Sequence, residues 1–295
     1  MELFNGSGVA LVTPFKKDES IDYIKLRELI DFQIENNTDA IIIAGTTGEA
    51  ATLSYTEHLS IIEECVDHVN GRIPVIAGTG SNCTKTAITM SKEAENLGVD
   101  GLLIVTPYYN KTTQKGLVNH YSKISEKVNI PIILYNVPSR TGMNIEINTI
   151  KELVENCDNI KGIKEASGNI NNIAEIKEQL GDKIKVYSGN DDQIVPILSL
   201  GGVGVISVIA NILPKKTHDL VMNYLNGNIN QSKQEQLKML KLIKALFKET
   251  NPIPIKKAME KLNMINGTLR EPLIEIEEEH EKQLIKEMRK YGIEV

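Results

Sequence analysis

Eight short apolar runs rich in isoleucine and valine punctuate the first three quarters of the chain, at residues 9–12, 40–44, 73–77, 101–105, 130–135, 160–164, 184–187 and 203–208. Most are continuous rather than alternating, the pattern of strands covered on both faces in a parallel sheet. Their starts lie about 20 to 33 residues apart, room for one strand and one crossover helix. The intervening segments carry helical periodicity. Ile21, Ile24, Leu26, Leu29, Ile30 and Ile34 recur at steps of three and four, opposite Asp22, Lys25, Arg27 and Asp31. Residues 56–69 and 84–97 repeat the pattern, each opening at a Thr or Asn cap candidate and closing near Gly71 or Gly98. Eight strand–helix repeats close most economically as a (β/α)8 TIM barrel, so an α/β barrel is the expected fold. The rival, an open doubly wound sheet, should carry GxGxxG in its opening turn. Here Gly78-Thr79-Gly80 has Cys83 where the third glycine belongs.

From about residue 215 the strand signal ends. Helical patterns at 218–225, 231–247, 255–262 and 277–290 follow, separated by Asn226-Gly227, by Pro252 and Pro254, and by Gly267 with Pro272. The expected organisation is a catalytic barrel over 1–225 and a C-terminal helical region over 226–295. The net charge of -6 argues against a nucleic-acid surface, which needs clustered cations, and favours small-molecule chemistry. Cys65, Cys83 and Cys157 are odd in number and widely spaced, which supports neither a disulfide framework nor a CxxC site. Glu2 stands where a secretory signal carries basic residues, and Gly6, Ser7 and Gly8 interrupt the apolar run behind it. The longest apolar stretch, 200–213, is broken by polar and glycine residues and falls short of the roughly 18 needed to span a bilayer. A soluble cytoplasmic protein with no membrane partner is expected.

Active sites of such barrels lie at the carboxyl ends of the strands, so the polar residues after each run define the search. Lys164 ends the run IKGIK, where burial would favour the neutral amine, the nucleophile that attacks a carbonyl to form a Schiff base. Its bland alternative is a strand-end lysine reaching solvent. Tyr135 closes the preceding run at the same height. Thr46 and Thr47 lie in a glycine-flanked turn whose amides and hydroxyls suit a carboxylate, although GTTG is also an ordinary tight connection. Arg140, in Pro-Ser-Arg-Thr-Gly, offers a fork for a second carboxylate, and the Tyr108-Tyr109 pair suits either a site or a subunit interface. The five histidines lack HExxH spacing and none follows a strand, so no metal site or histidine triad is expected. Asp191-Asp192 offers carboxylates for a cation or a polar substrate group, but paired acids in a barrel loop more often read as a solvated cap or turn.

Taken together, GTTGEAATL, AGTGSN, TPYYNK, YNVPSRTG, IKGIKEASGN, YSGND, GVGVIS and NPIPIK resemble the dihydrodipicolinate synthase family of pyruvate-dependent class I aldolases, over nearly the whole chain. The resemblance implies an imine between Lys164 and pyruvate, with no further cofactor, and proton shuttling by Tyr135. It implies that Thr46 and Tyr109 complete a hydroxyl relay, Tyr109 entering from a neighbouring subunit of a homotetramer built from tight dimers. Thr47 would hold the pyruvate carboxylate, Ile206 would contact pyruvate through its backbone, and Arg140 would receive the carboxylate of L-aspartate 4-semialdehyde. The alternative within the superfamily is N-acetylneuraminate lyase or 2-keto-3-deoxy sugar acid aldolase chemistry. Lysine-inhibited members carry His at the positions of Tyr55 and His58 and Glu at that of Thr86, so the resemblance implies weak or absent lysine inhibition here.

Overall fold

The computed structural model describes residues 3–295. Eight parallel strands, β1 (Gly6–Ala10), β2 (Ala40–Ile43), β3 (Val75–Gly78), β4 (Gly101–Val105), β5 (Ile132–Asn136), β6 (Ile160–Glu165), β7 (Lys185–Ser188) and β8 (Gly204–Ser207), pair in chain order and close β8 onto β1. The TIM barrel expected from the spacing is therefore the observed fold. The third and fifth strands begin two residues later than their apolar runs. Pro74 and Pro131 lack an N–H for the ladder, and each instead supplies only a carbonyl, to Ile41 and Leu102 respectively, at 2.9 Å.

The crossovers are α1 (Tyr23–Glu35), α2 (Tyr55–Val69), α3 (Thr84–Asn96), α4 (Gln114–Ser125), the single turn α5 (Pro138–Thr141) followed by α6 (Ile147–Asn156), α7 (Ile170–Leu180) and α8 (Ile194–Ser199). Ser54 opens α2 with a reciprocal capping box to Glu57, which satisfies two donors at that end. The eighth crossover is α9 (Pro214–Leu225), and α10 (Ile229–Leu246), α11 (Ile253–Lys261) and α12 (Glu278–Tyr291) follow it. α10 packs on α9 and α12. Pro254 sits in the first turn of α11, where its missing N–H costs nothing, so that helix starts two residues ahead of its apolar pattern.

Alternation along the strands creates two apolar layers. Ile132, Leu134 and Ile163 face the helices, whereas Ile42, Leu103, Ile133, Tyr135, Tyr187 and Ile206 fill the barrel interior. The amino-terminal end of the interior is plugged by Phe4, whose ring stacks on Tyr187 at 4.7 Å, while the Tyr187 hydroxyl donates to the Phe4 carbonyl at 2.5 Å. The opposite end stays open. Among the described residues no helix is long and apolar enough to cross a membrane.

Candidate active site

The parallel register sets Tyr135, Lys164 and Tyr187 side by side on β5, β6 and β7. Lys164 is only 6% exposed, with its Nζ 4.4 Å from the centre of the Tyr135 ring. The strand-end lysine thus does not reach solvent; it stands above the apolar floor of the barrel. A cavity of about 560 Å³ opens over it, and Tyr135, Thr46, Thr47 and Arg140 share its walls. The hydroxyls of Tyr135 and Thr46 bond no described residue, which leaves both open to whatever enters.

The turn after β2 is under backbone strain. Ala44 and Glu49, at its two ends, hold left-handed φ angles of 54° and 53°, and such conformations in non-glycine residues persist only where the surroundings enforce them. Here the enforcement comes from the far end of the chain. The Glu49 carboxylate is bonded by the Lys256 ammonium of α11 and, at 3.1 Å, by the Arg270 amide. Lys256 also donates to the Thr268 carbonyl at 2.8 Å and lies over the Phe15 ring at 4.2 Å. Burial pushes its ammonium down to about 8. Gly48 leaves little room for a side chain: an added Cβ would lie 3.1 Å from the Leu11 carbonyl oxygen and 3.2 Å from Thr13 Oγ1, which would have to give way. Fixed in this way, the turn commits the amides of Gly48, Glu49 and Ala50 to internal bonds. Those of Thr46 and Thr47 bond no described residue and are available to an anion.

Thr47 is buried, and its Oγ1 accepts a hydrogen bond from Asn251 Nδ2 at 2.9 Å. Arg140 rides on the single turn α5, begun by Pro138, and its Nη2 donates to the Asn251 carbonyl at 3.0 Å. Ile206 does not line the cavity; its side chain is part of the apolar floor, on the strand paired with Gly8. Tyr109, with φ of 67°, is 92% exposed and contributes nothing to the cavity of its own chain, whereas Tyr108 does line it. So the structure brings Lys164, Tyr135, Thr46, Thr47 and Arg140 together, places Ile206 beneath them and leaves Tyr109 outside.

Asp191 differs from its expected role as a solvated turn residue. It is 1% exposed, and its Oδ2 accepts from the amides of Val208 and Ile209 at 3.0 and 2.9 Å. Burial raises its carboxyl above the usual range, against the pull of those bonds, of Ser207 and of Lys164. The residue therefore fixes the chain just beyond β8 and acts as a structural clasp. Asn251 and Lys256 are not strand-end residues, because both come from the C-terminal region; Glu49 does follow β2, but nothing near it in sequence points to its buried partner Lys256. The one available signal was NPIPIK, an asparagine and a lysine in an otherwise apolar and proline-rich segment. Tyr55, His58 and Thr86 also line the cavity. His58 Nε2 bonds the Gly78 carbonyl at 2.7 Å, and burial lowers its tendency to protonate.

Among the described residues, one trio brings potential metal-ligand atoms within 4.8 Å of one another: Glu249, Glu277 and His280. His280 Nδ1 is already bonded to Glu249 at 2.7 Å, Glu277 is exposed, and none of the three lines the cavity. This group reads as a hydrogen-bonded cluster at the start of α12.

Comparison with known proteins agrees with the geometry. The chain is 57% identical, over its full length and 99% of the relative, to the 4-hydroxy-tetrahydrodipicolinate synthase of Caldicellulosiruptor bescii. It is 53% identical to that of Lachnoclostridium phytofermentans, over 99% of this chain and all of the relative. The crystal structure of dihydrodipicolinate synthase from Aquifex aeolicus superposes with a TM-score of 0.96 at 43% identity, covering 98% of this chain and 99% of that one. The model of the dihydrodipicolinate synthetase family matches residues 3–291, and the chain belongs to that family.

Proposed function

We propose that the protein condenses pyruvate with L-aspartate 4-semialdehyde to give 4-hydroxy-tetrahydrodipicolinate, the committed step of diaminopimelate and lysine biosynthesis. The single observation that carries this reading is the buried Lys164 beside Tyr135 at the open end of the barrel, in a chain so similar to enzymes of that name. The unprotonated Lys164 amine adds to the pyruvate ketone, and loss of water leaves an imine, so the substrate itself becomes the electron sink and no separate cofactor is needed. Tyr135 returns a proton to the departing oxygen. Removal of a methyl proton gives an enamine, whose carbon attacks the aldehyde of the second substrate. The amine of that substrate then displaces Lys164 and closes the ring.

The free amides of Thr46 and Thr47 support binding of the pyruvate carboxylate there, with Ile206 contacting pyruvate through its backbone. The Arg140 fork suits the carboxylate of the aldehyde. Tyr109, too exposed to serve its own cavity, suits a site in a neighbouring copy, where with Thr46 it completes the proton relay from Tyr135. That role goes with a homotetramer of tight dimers. Tyr55 and Thr86, which line the cavity, go with weak or absent inhibition by lysine. The three free thiols fit a reducing cytoplasm.

Borohydride reduction in the presence of pyruvate, followed by peptide mass analysis, tests the chemistry. One reduced pyruvyl adduct on Lys164 is expected, and none with Lys164→Ala. An unmodified wild-type lysine would refute the proposal. Consumption of aspartate semialdehyde, with no pyruvate released from N-acetylneuraminate or 2-keto-3-deoxy acids, separates the synthase from the sugar-acid aldolases.

A further inference from the structure

We infer that Asn251 is a positioning residue for the pyruvate carboxylate, acting through Thr47; the inference rests on the reading of Thr47 given above. Asn251 lies between α10 and α11, outside the barrel, yet it is buried against the active-site mouth. Its side-chain amide donates to Thr47 Oγ1, and its backbone carbonyl accepts from Arg140. One residue therefore spans the two groups that receive the carboxylates of the two substrates.

The direction of the first bond matters. A threonine hydroxyl carries one proton and two lone pairs. When the Asn251 amide donates to it, a lone pair is consumed and the hydroxyl proton remains free for an anion. A neighbour that accepted instead would take that proton and turn lone pairs toward the carboxylate. The donor is also held in place. Arg140 grips the backbone of the same residue, and Lys256, in the helix that follows, is bonded to Glu49 two residues beyond Thr47. The segment and the turn are thus joined at both ends, with the hydroxyl oriented between them.

The pyruvate concentration that half-saturates borohydride trapping on Lys164 reads this orientation directly, and the separate KM values for the two substrates complete the test. Asn251→Ala removes the donor and keeps the carbonyl. It is expected to raise half-saturating pyruvate about tenfold, the equivalent of one hydrogen bond to a charged-ligand receptor, with the aldehyde KM within about twofold of wild type. Asn251→Asp, equal in volume but an acceptor, is expected to raise it further. In a Thr47→Val background, Asn251→Ala should add nothing, because the group it acts through is gone. Unchanged pyruvate saturation in both single variants, equal rises for both substrates, or an additive effect in the Thr47→Val background would each overturn the inference while leaving the proposed reaction intact. A wild-type protein that traps no pyruvate would instead overturn the reaction and the inference together.

Discussion

At His120 the protein holds an imidazole against its preference for water. Nδ1 bonds Thr84 Oγ1 at 2.9 Å, joining α4 to the start of α3, while Nε2 is buried with no partner among the described residues. A second proton would leave a buried cation with an unanswered N–H, and burial accordingly pushes the group down to about 4 from its ordinary 6.5. The folded state therefore binds this proton less readily than the unfolded chain. The associated stability is fully present above about pH 6.5 and is lost progressively as pH falls toward 4, by up to about 1.4 kcal/mol per pH unit. His58 acts in the same direction. Urea titrations across pH 4 to 7 should show that slope, and His120→Leu should reduce it by about one proton; an unchanged slope would remove His120 from the account. Burial was the property that residue type alone did not disclose. Lys164 was legible because a charge at the end of an apolar strand is conspicuous. Asp191 was not, because the amides of Val208 and Ile209 that enclose it belong to a different strand end.

Among the elements, the turn after β2 and the start of α11 depend on each other. Lys256 and Glu49 are both buried, so removal of either leaves the other as a desolvated, unpaired charge. Lys256→Ala should cost about 3 to 5 kcal/mol, the usual penalty for breaking a buried pair. Lys282→Ala, which removes an exposed pair with Glu278 within α12, should cost under about 0.5 kcal/mol. Chemical denaturation distinguishes the two, and similar small losses for both would mean that solvent reaches Glu49. The barrel was readable from period alone, since each strand and crossover helix announces itself locally. The tie between Glu49 and Lys256 was not, because it joins residues 207 positions apart and neither helix nor strand periodicity carries such a relation. The same holds for Asn251. Beside Pro252 it reads as a turn residue, and its partner Thr47 lies 204 positions earlier.

For the whole molecule, the residue that bears on assembly is Tyr109, which lies outside the cavity lining of its own chain. Tyr109 extends from the loop after β4 with 92% of its surface free, next to the half-exposed Tyr108 that does face the cavity. Exposed aromatic pairs of this kind mark association surfaces. Sedimentation equilibrium should therefore find a dimer or larger, and Tyr109→Ala should lower kcat while pyruvate trapping on Lys164 persists. A fully active monomer on dilution would refute the assembly role. The acidic net charge describes the solvated exterior and says little about the mouth of the barrel, where Arg140 and two free amides set a carboxylate-attracting field.

The position of Asn251, Lys256 and Arg270 late in the chain has a consequence for how the protein comes into being. During synthesis all eight strands emerge before the residues that fasten the turn after β2. At roughly 5–20 residues per second, the helices beyond α9 follow over several seconds. Throughout that interval a nascent barrel already carries Lys164 and Tyr135 but has neither the Glu49 anchor nor the Thr47 donor. Ribosome-tethered chains that stop short of Asn251 should thus contain Lys164, the proposed nucleophile, without an ordered place for its substrate, and competence should arrive with the final helices.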